Sequence, residues 1–234
     1  MVIELVIFDY GGVISESLLR DFSDFERRRE LPAGSVSRLL FGDRPANAGG
    51  GDPVDGAVDP DEISDFHRLE TGELDFATYL NQVLAAAPDI LGRDLEPADL
   101  EAFSGSTGPR IYWPIVHEIW RLRAQGLRLA LLTNNVREFH DTWWDSFPVE
   151  ECFDVVIDSS EVGMRKPDSR IYTLTCEQAG SKPTAAVFLD DNYDNIEAAR
   201  ALGIEVVHVG LDPLVAIAEL QEILGRRGTK VKNR

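Results

Sequence analysis

The chain has 234 residues, 23 basic and 41 acidic, and a formal net charge of −18. That length suits one domain, or one domain with a large insertion, and needs no disulfide or metal staple. With 44% hydrophobic and 27% charged residues the composition is that of a soluble globular protein, and the acidity excludes non-specific binding to nucleic acid or to anionic membranes, whose phosphates it repels.

The N-terminus has no basic leader, and Glu4 interrupts its apolar run, so no targeting segment is expected. No apolar stretch approaches the roughly 20 residues of a membrane span. The first predicted strand is Ile3–Phe8. Residues 15–109 then hold no convincing strand. They read as helices over Leu18–Glu30, Val36–Phe41, Ile63–Thr71, Phe76–Ala86 and Ala98–Phe103. Inside this block Gly42–Glu62 is rich in glycine, proline and aspartate and reads as a mobile loop; its aspartates lack the ligand spacing of a calcium loop. A helix carrying Ile115, Ile119 and Leu122 stops at Gly126 and leads to strands Leu127–Leu132 and Asp154–Ile157. A helix with Ile171, Leu174 and Ala179 precedes strand Ala185–Leu189. A helix begun at Asp194, with that residue as its cap, carries Ile196, Ala199 and Leu202 to Gly203. The strand Ile204–Val209 and a helix from Pro213 close the series. None of the strands alternates cleanly, as expected of strands buried on both faces. Strands alternating with helices imply a parallel, doubly wound α/β sheet. The terminal run Gly225–Arg234, with five basic residues and no acidic one, reads as a frayed tail, or alternatively an electrostatic contact arm. Cys152 and Cys176 form neither a disulfide framework nor a zinc pattern, which suggests a reducing, cytoplasmic setting.

Polar residues gather after the strands. Asp9 follows the first, Thr133 and Asn134 the second, Lys166 the third after a short loop, and Asp190 and Asp191 the fourth. In a parallel sheet all carboxyl ends share one edge, where open α/β folds bind ligands. Three carboxylates brought close repel one another, and a divalent cation removes the conflict. Hard oxygen ligands completed by water suit Mg²⁺ better than zinc. A cation, an ammonium, a hydroxyl and an amide together suit a phosphoryl group, and a carboxylate can attack one to form an aspartyl-phosphate.

The segments Phe8-Asp9-Tyr-Gly-Gly-Val, Leu132-Thr133-Asn134, Lys166-Pro167-Asp168 and Leu189-Asp190-Asp191-x-x-x-Asn195 resemble, in order, the four motifs of the haloacid dehalogenase superfamily. The run Gly163-Met-Arg-Lys166-Pro-Asp is similar to a subgroup that includes the phosphatase domain of soluble epoxide hydrolase and bacterial sugar-1-phosphate phosphatases. The resemblance implies a five-stranded Rossmann-like core over residues 1–14 and 110–234, with a helical cap, 15–109, inserted after the first strand. It implies Asp9 as nucleophile and metal ligand, the Gly11 carbonyl and Asp191 as further Mg²⁺ ligands, and Asp190 and Asn195 behind them. It also implies Thr133 and Asn134 on phosphoryl oxygens and Lys166 as the neutralising charge. The expected activity is Mg²⁺-dependent hydrolysis of a small phosphorylated metabolite, with sugar-1-phosphates as candidates. Most phosphatases of this superfamily carry an acid–base aspartate two residues after the nucleophile; here that residue is Gly11. The departure keeps two alternatives open: a non-catalytic ligand- or partner-binding relative, and a metal-free dehalogenase.

Three further groups stand near these motifs. Phe139, Trp143 and Phe147, four apart, read as packing on one helix, with a substrate-stacking wall as the alternative. His140 reads as an exposed helix histidine or a substitute acid. Ser15, Glu16 and Ser17 read as a hinge or helix cap, or as contacts to the leaving group.

Overall fold

Val, Ile and Leu runs without polar alternation become strands here because helices cover the sheet on both faces. The computed structural model describes residues 2–42, 64–96, 99 and 108–230. The strands are β1 (Leu5–Phe8), β2 (Arg128–Thr133), β3 (Val155–Asp158), β4 (Ala186–Asp190) and β5 (Glu205–His208). They form one sheet in the order β3-β2-β1-β4-β5, and every neighbouring pair is parallel. Leu5 in β1 is in register with Arg128 on one side and Ala186 on the other. The carboxyl ends therefore share one edge.

Between β1 and β2 lie α1 (Leu18–Arg28), α2 (Ser35–Phe41), α3 (Asp65–Glu70), α4 (Phe76–Leu91) and α5 (Trp113–Ala124). Two short helices, α6 (His140–Trp144) and α7 (Val149–Cys152), precede β3, and α8 (Ser159–Val162) and α9 (Ser169–Gln178) follow it. Then come α10 (Tyr193–Ala201) before β5 and α11 (Pro213–Arg227) after it. The pleat divides β1 between two cores. Val6 and Phe8 pack with Ile115 and Ile119 of α5 and Leu220 and Leu224 of α11. Leu5 and Ile7 pack on the other face with Ile171 and Tyr172 of α9 and Ile196 and Ala199 of α10. The helices after β1 build a third core around Phe22, Phe25, Leu69, Tyr79, Val83 and Val136. Val136 comes from the segment after β2, so this layer is seated on the carboxyl edge of the sheet.

Several boundaries differ from the sequence reading. Ile3 lies outside β1 and pairs with Thr229 in an isolated bridge. The tail is docked as far as residue 230: Arg227 pairs with Glu205, and Lys230 Nζ lies 2.8 Å from Glu4. Residues 231–234 lie outside the described residues, as do 43–62 of the expected loop, residue 63 of the expected helix Ile63–Thr71 and most of the expected helix Ala98–Phe103. Helix α4 runs past Ala86 through Pro88 to Leu91, with Asp75 capping its start by accepting from Thr78 N. The cap of α10 is Asn192 rather than Asp194, because the Asn192 side chain accepts from Asp194 N and Asn195 N. Phe139, Trp143 and Phe147 do not share a helix. Phe139 ends a 3₁₀ turn, Trp143 is in α6, and Phe147 lies beyond it. No helix among the described residues is long and apolar enough to cross a membrane.

Candidate active site

Asp9 is the first residue beyond β1, where the strand ends and the chain turns. Its Oδ1 accepts the Tyr10 N–H at 2.7 Å and lies 2.7 Å from Lys166 Nζ. Lys166 Nζ donates in turn to Asp190 Oδ2 at 2.7 Å. Lys166 is only 1% exposed, and its ammonium lies 5.4 Å from the centre of the Phe188 ring. Asp190, the last residue of β4, is fully buried. It accepts from Asn192 N at 2.8 Å and from Asn195 Nδ2 at 3.0 and 3.1 Å. These bonds aim Asp190 at the lysine and provide the partners that a buried carboxylate requires.

Asp191 completes the cluster. One carboxylate oxygen from each of Asp9, Asp190 and Asp191 falls within 4.8 Å of the others. Burial pushes the Asp9 carboxyl well above the usual carboxylate range; Asp190 and Asp191 add repulsion, and Lys166 opposes the shift. Burial, aided by Asp190, pushes Asp191 up to about 7. Burial alone would lower Lys166, but Asp190 and Asp9 outweigh it and hold the ammonium above its usual range. Three carboxylates and one ammonium leave an excess of two negative charges when all are ionised. A divalent cation fits both that excess and the all-oxygen donor set.

Gly12 lets this cluster form. Its φ is +78°, and a Cβ built there would overlap the Asp191 carboxylate. Gly11 is different. It is exposed, its φ is not positive, and a Cβ there meets no atom within 4 Å. The position usually given to an acid thus has room for a side chain.

Thr133 ends β2 and is buried, its hydroxyl 3.3 Å from the Asn134 carbonyl. Asn134, expected on phosphoryl oxygens, uses its side chain otherwise. Its Oδ1 accepts Lys166 N–H at 2.8 Å and its Nδ2 donates to the Lys166 carbonyl at 3.0 Å. Asn195 likewise braces Asp190. His140 Nδ1 faces Asp158 Oδ2 at 3.4 Å. Ser15 is buried, and its main chain bridges Gly11 and Ile111, which suits a hinge. Glu16 pairs with Arg110 at 3.0 Å. Trp143 and Phe147 pack beneath Tyr10, with ring centres 5.5 and 6.2 Å away, while Phe139 meets Phe76 edge-on at 5.2 Å. Two groups escaped the sequence reading. His208 places Nε2 3.0 Å from the Asp191 carbonyl, and Glu70 contacts Arg165. Arg165 stands inside a motif, so its neighbourhood was visible. Glu70 carries no local signal, being one of 41 acidic residues.

Residues 3–203 match the family description haloacid dehalogenase-like hydrolase. The chain is 30% identical over 223 residues to acyl-CoA dehydrogenase family member 10 of Mus musculus, covering 94% of this chain and 19% of that protein. It is 26% identical over 243 residues to bifunctional epoxide hydrolase 2 of Sus scrofa, covering 96% of this chain and 39% of that protein. The chain thus spans well under half the length of these two relatives. A phosphatase of Mycobacterium tuberculosis is 30% identical over 207 residues, 87% of this chain and 85% of that protein. Among solved structures, a family enzyme from Bacteroides thetaiotaomicron in complex with magnesium and inorganic phosphate superposes with a TM-score of 0.58 at 21% identity, over 90% of this chain and 96% of that one. The L-2-haloacid dehalogenase of Xanthobacter autotrophicus superposes at 0.59 with 16% identity, over 99% and 92%. At these identities the structural likeness concerns the fold.

Proposed function

The chain belongs to the haloacid dehalogenase-like hydrolases, and from that premise we propose that it is a Mg²⁺-dependent phosphomonoester hydrolase working through an aspartyl-phosphate on Asp9. The observation that carries this reading is the cluster of Asp9, Asp190 and Asp191 with their oxygens within 4.8 Å. A metal-free dehalogenase has no use for a third carboxylate at that spot. We take residues 15–109 as the cap and 1–14 with 110–234 as the catalytic body, acting in the cytoplasm on a small phosphorylated metabolite.

Asp9, Asp191 and the Gly11 carbonyl would hold the cation, which supplies charge neutralisation at the phosphoryl oxygens. Lys166 adds a second positive charge beside Asp9, and Thr133 offers a hydroxyl to the phosphoryl group. Asn134 fixes the main chain of Lys166 with its side chain and stands beside Thr133 for the phosphoryl oxygens. Asp9 attacks phosphorus, an aspartyl–phosphorus bond forms, and the ester oxygen leaves with the bonding pair. Water then attacks the same phosphorus and frees the Asp9 carboxylate and inorganic phosphate. With glycine at position 11, the leaving oxygen departs with little proton assistance from that side. General acid catalysis is worth about 10²–10⁴-fold, and its absence weighs most on poor leaving groups. Sugar-1-phosphates, acyl phosphates and aryl phosphates should therefore be preferred to esters of primary alcohols.

The test is release of p-nitrophenol from p-nitrophenyl phosphate, whose leaving group needs no acid. Expected are turnover with Mg²⁺, loss in excess chelator, and loss in Asp9→Asn. Full activity in chelator would overturn the reading. Gly11→Asp, for which the backbone has space, should narrow the gap between glucose-1-phosphate and glucose-6-phosphate. The non-catalytic alternative rests on Gly11 itself and is favoured if no phosphomonoester is turned over.

A further inference from the structure

Glu70, the last residue of α3, is a buried carboxylate that the reading above leaves without a task. Building on the phosphatase reading, we infer that Glu70 is a positioning residue that makes the setting of Lys166 conditional on a seated cap.

Glu70 touches the catalytic body at both ends. Its Oε2 accepts from Arg165 Nε at 2.6 Å, and Arg165 is the residue before Lys166. Its carbonyl accepts from Ser159 Oγ at 2.7 Å. Ser159 Oγ also accepts the Asn135 N–H at 3.0 Å, and Asn135 follows Asn134. Asn134 grips the Lys166 peptide on both sides, at 2.8 and 3.0 Å. These contacts and two peptide bonds close a circuit through Glu70, Arg165, Lys166, Asn134, Asn135 and Ser159. Glu70 is its only member from the cap. The approach is tight: a Cβ on Gly72, two residues on, would lie 3.0 Å from the Ser160 carbonyl.

The physical case rests on where the ion pair sits. A buried pair between two packed bodies gains little net stability, because desolvation offsets attraction. Removing one partner, however, leaves the other charge buried and uncompensated. Such a pair discriminates between a docked and an undocked arrangement more than it holds the docked one together. The docked arrangement fixes the segment on either side of the lysine. Lifting the cap opens the circuit at Glu70 and leaves Asn134 as the sole brace on the Lys166 peptide within it. The Lys166 ammonium then reaches its full setting against Asp9 only under a closed cap, where bound substrate is shielded from bulk water.

The test uses the full chain and two variants, Glu70→Gln and Glu70→Gln/Arg165→Gln. The double variant leaves no orphaned charge and keeps the test valid if the single one folds poorly. Backbone hydrogen exchange is read in peptides covering 133–138 and 163–168, and kcat and KM are read with p-nitrophenyl phosphate and Mg²⁺. Expected in both variants is faster exchange in those two peptides, with kcat lowered by about 10- to 100-fold, the scale on which misplaced catalytic groups lose rate, and KM little changed. Exchange that rises only in 64–75, with kcat unchanged and KM raised, would make Glu70 a mere docking contact and overturn the inference. So would a double variant with wild-type kcat. If the wild-type protein turns over no phosphomonoester, the phosphatase reading fails, while the exchange measurement still decides whether Glu70 orders the lysine segment.

Discussion

At the scale of single residues, the site is governed by what two neighbouring glycines permit. Gly12 carries a left-handed φ and has the Asp191 carboxylate where its Cβ would be. Gly12→Ala must therefore displace Asp191 or distort the turn after Asp9. The expected result is a loss of Mg²⁺ affinity of at least about tenfold, together with about 1–3 kcal/mol of stability, the cost range of a non-glycine residue held in a strained conformation. Calorimetric titration with Mg²⁺ and thermal unfolding check both. Asp191 also gives a pH prediction. Its carboxyl is raised by burial to about 7 in the metal-free protein. A raised carboxyl favours the protonated folded form, so this group's stabilising effect is full at low pH and lost as pH rises through about 7. Metal binding needs the ionised carboxylate. Apparent Mg²⁺ affinity should thus weaken by up to about tenfold per pH unit below 7, since one proton competes with the cation. Affinity that stays flat between pH 6 and 8 would contradict the assignment of Asp191 as a ligand.

At the scale of elements, the strand-end rule made most of the site legible. Asp9, Thr133, Asp190 and Asp191 each end or directly follow a strand, and parallel pairing brings those ends to one edge. What local sequence could not separate was which polar residue caps a helix. Asp194 and Asn192 both stand at the start of α10 and are both good cap formers; the geometry selects Asn192, whose main chain already donates to Asp190 at 2.8 Å. Asn192→Ala should cost about 1 kcal/mol and lower Tm by a few degrees, read by thermal unfolding. The amphipathic pattern also stopped α4 too early, because Pro88 is a helix breaker in isolation. In the fold, Ala87 beside it and Leu91 three residues on are buried, and the helix runs on to Leu91, with Gly92 as its cap. The contacts of Glu70 were illegible for another reason. Its partners Arg165 and Ser159 lie far along the chain, and no spacing rule links them. The same holds for the bonds from the Asn134 side chain to the Lys166 peptide, which lies far along the chain.

At the scale of the whole molecule, the proposed phosphatase activity requires a chain of net charge −18 to admit an anion. Among the described residues of the site, the ammonium of Lys166 is 1% exposed and already paired with Asp9 and Asp190. Long-range steering therefore works against a phosphorylated substrate. At saturating Mg²⁺, kcat/KM should rise about two- to fivefold as ionic strength increases from low salt to about 0.15 M, where the Debye length shortens to about 8 Å. A fall over that range, as for a steered encounter, would locate an attractive surface elsewhere. The sheet order has a consequence in time. β1 lies at the centre, yet it is the first strand made, and its two partners begin at Arg128 and Ala186. During synthesis it must wait, with both edges unpaired, until the strand from Arg128 has emerged for one neighbour and the strand from Ala186 for the other. An apolar strand held open so long is a template for mispairing. Ribosome-stalled chains ending before β4 should lean on chaperones, and Asp9 should gain its carboxylate neighbours only at the last stage of assembly.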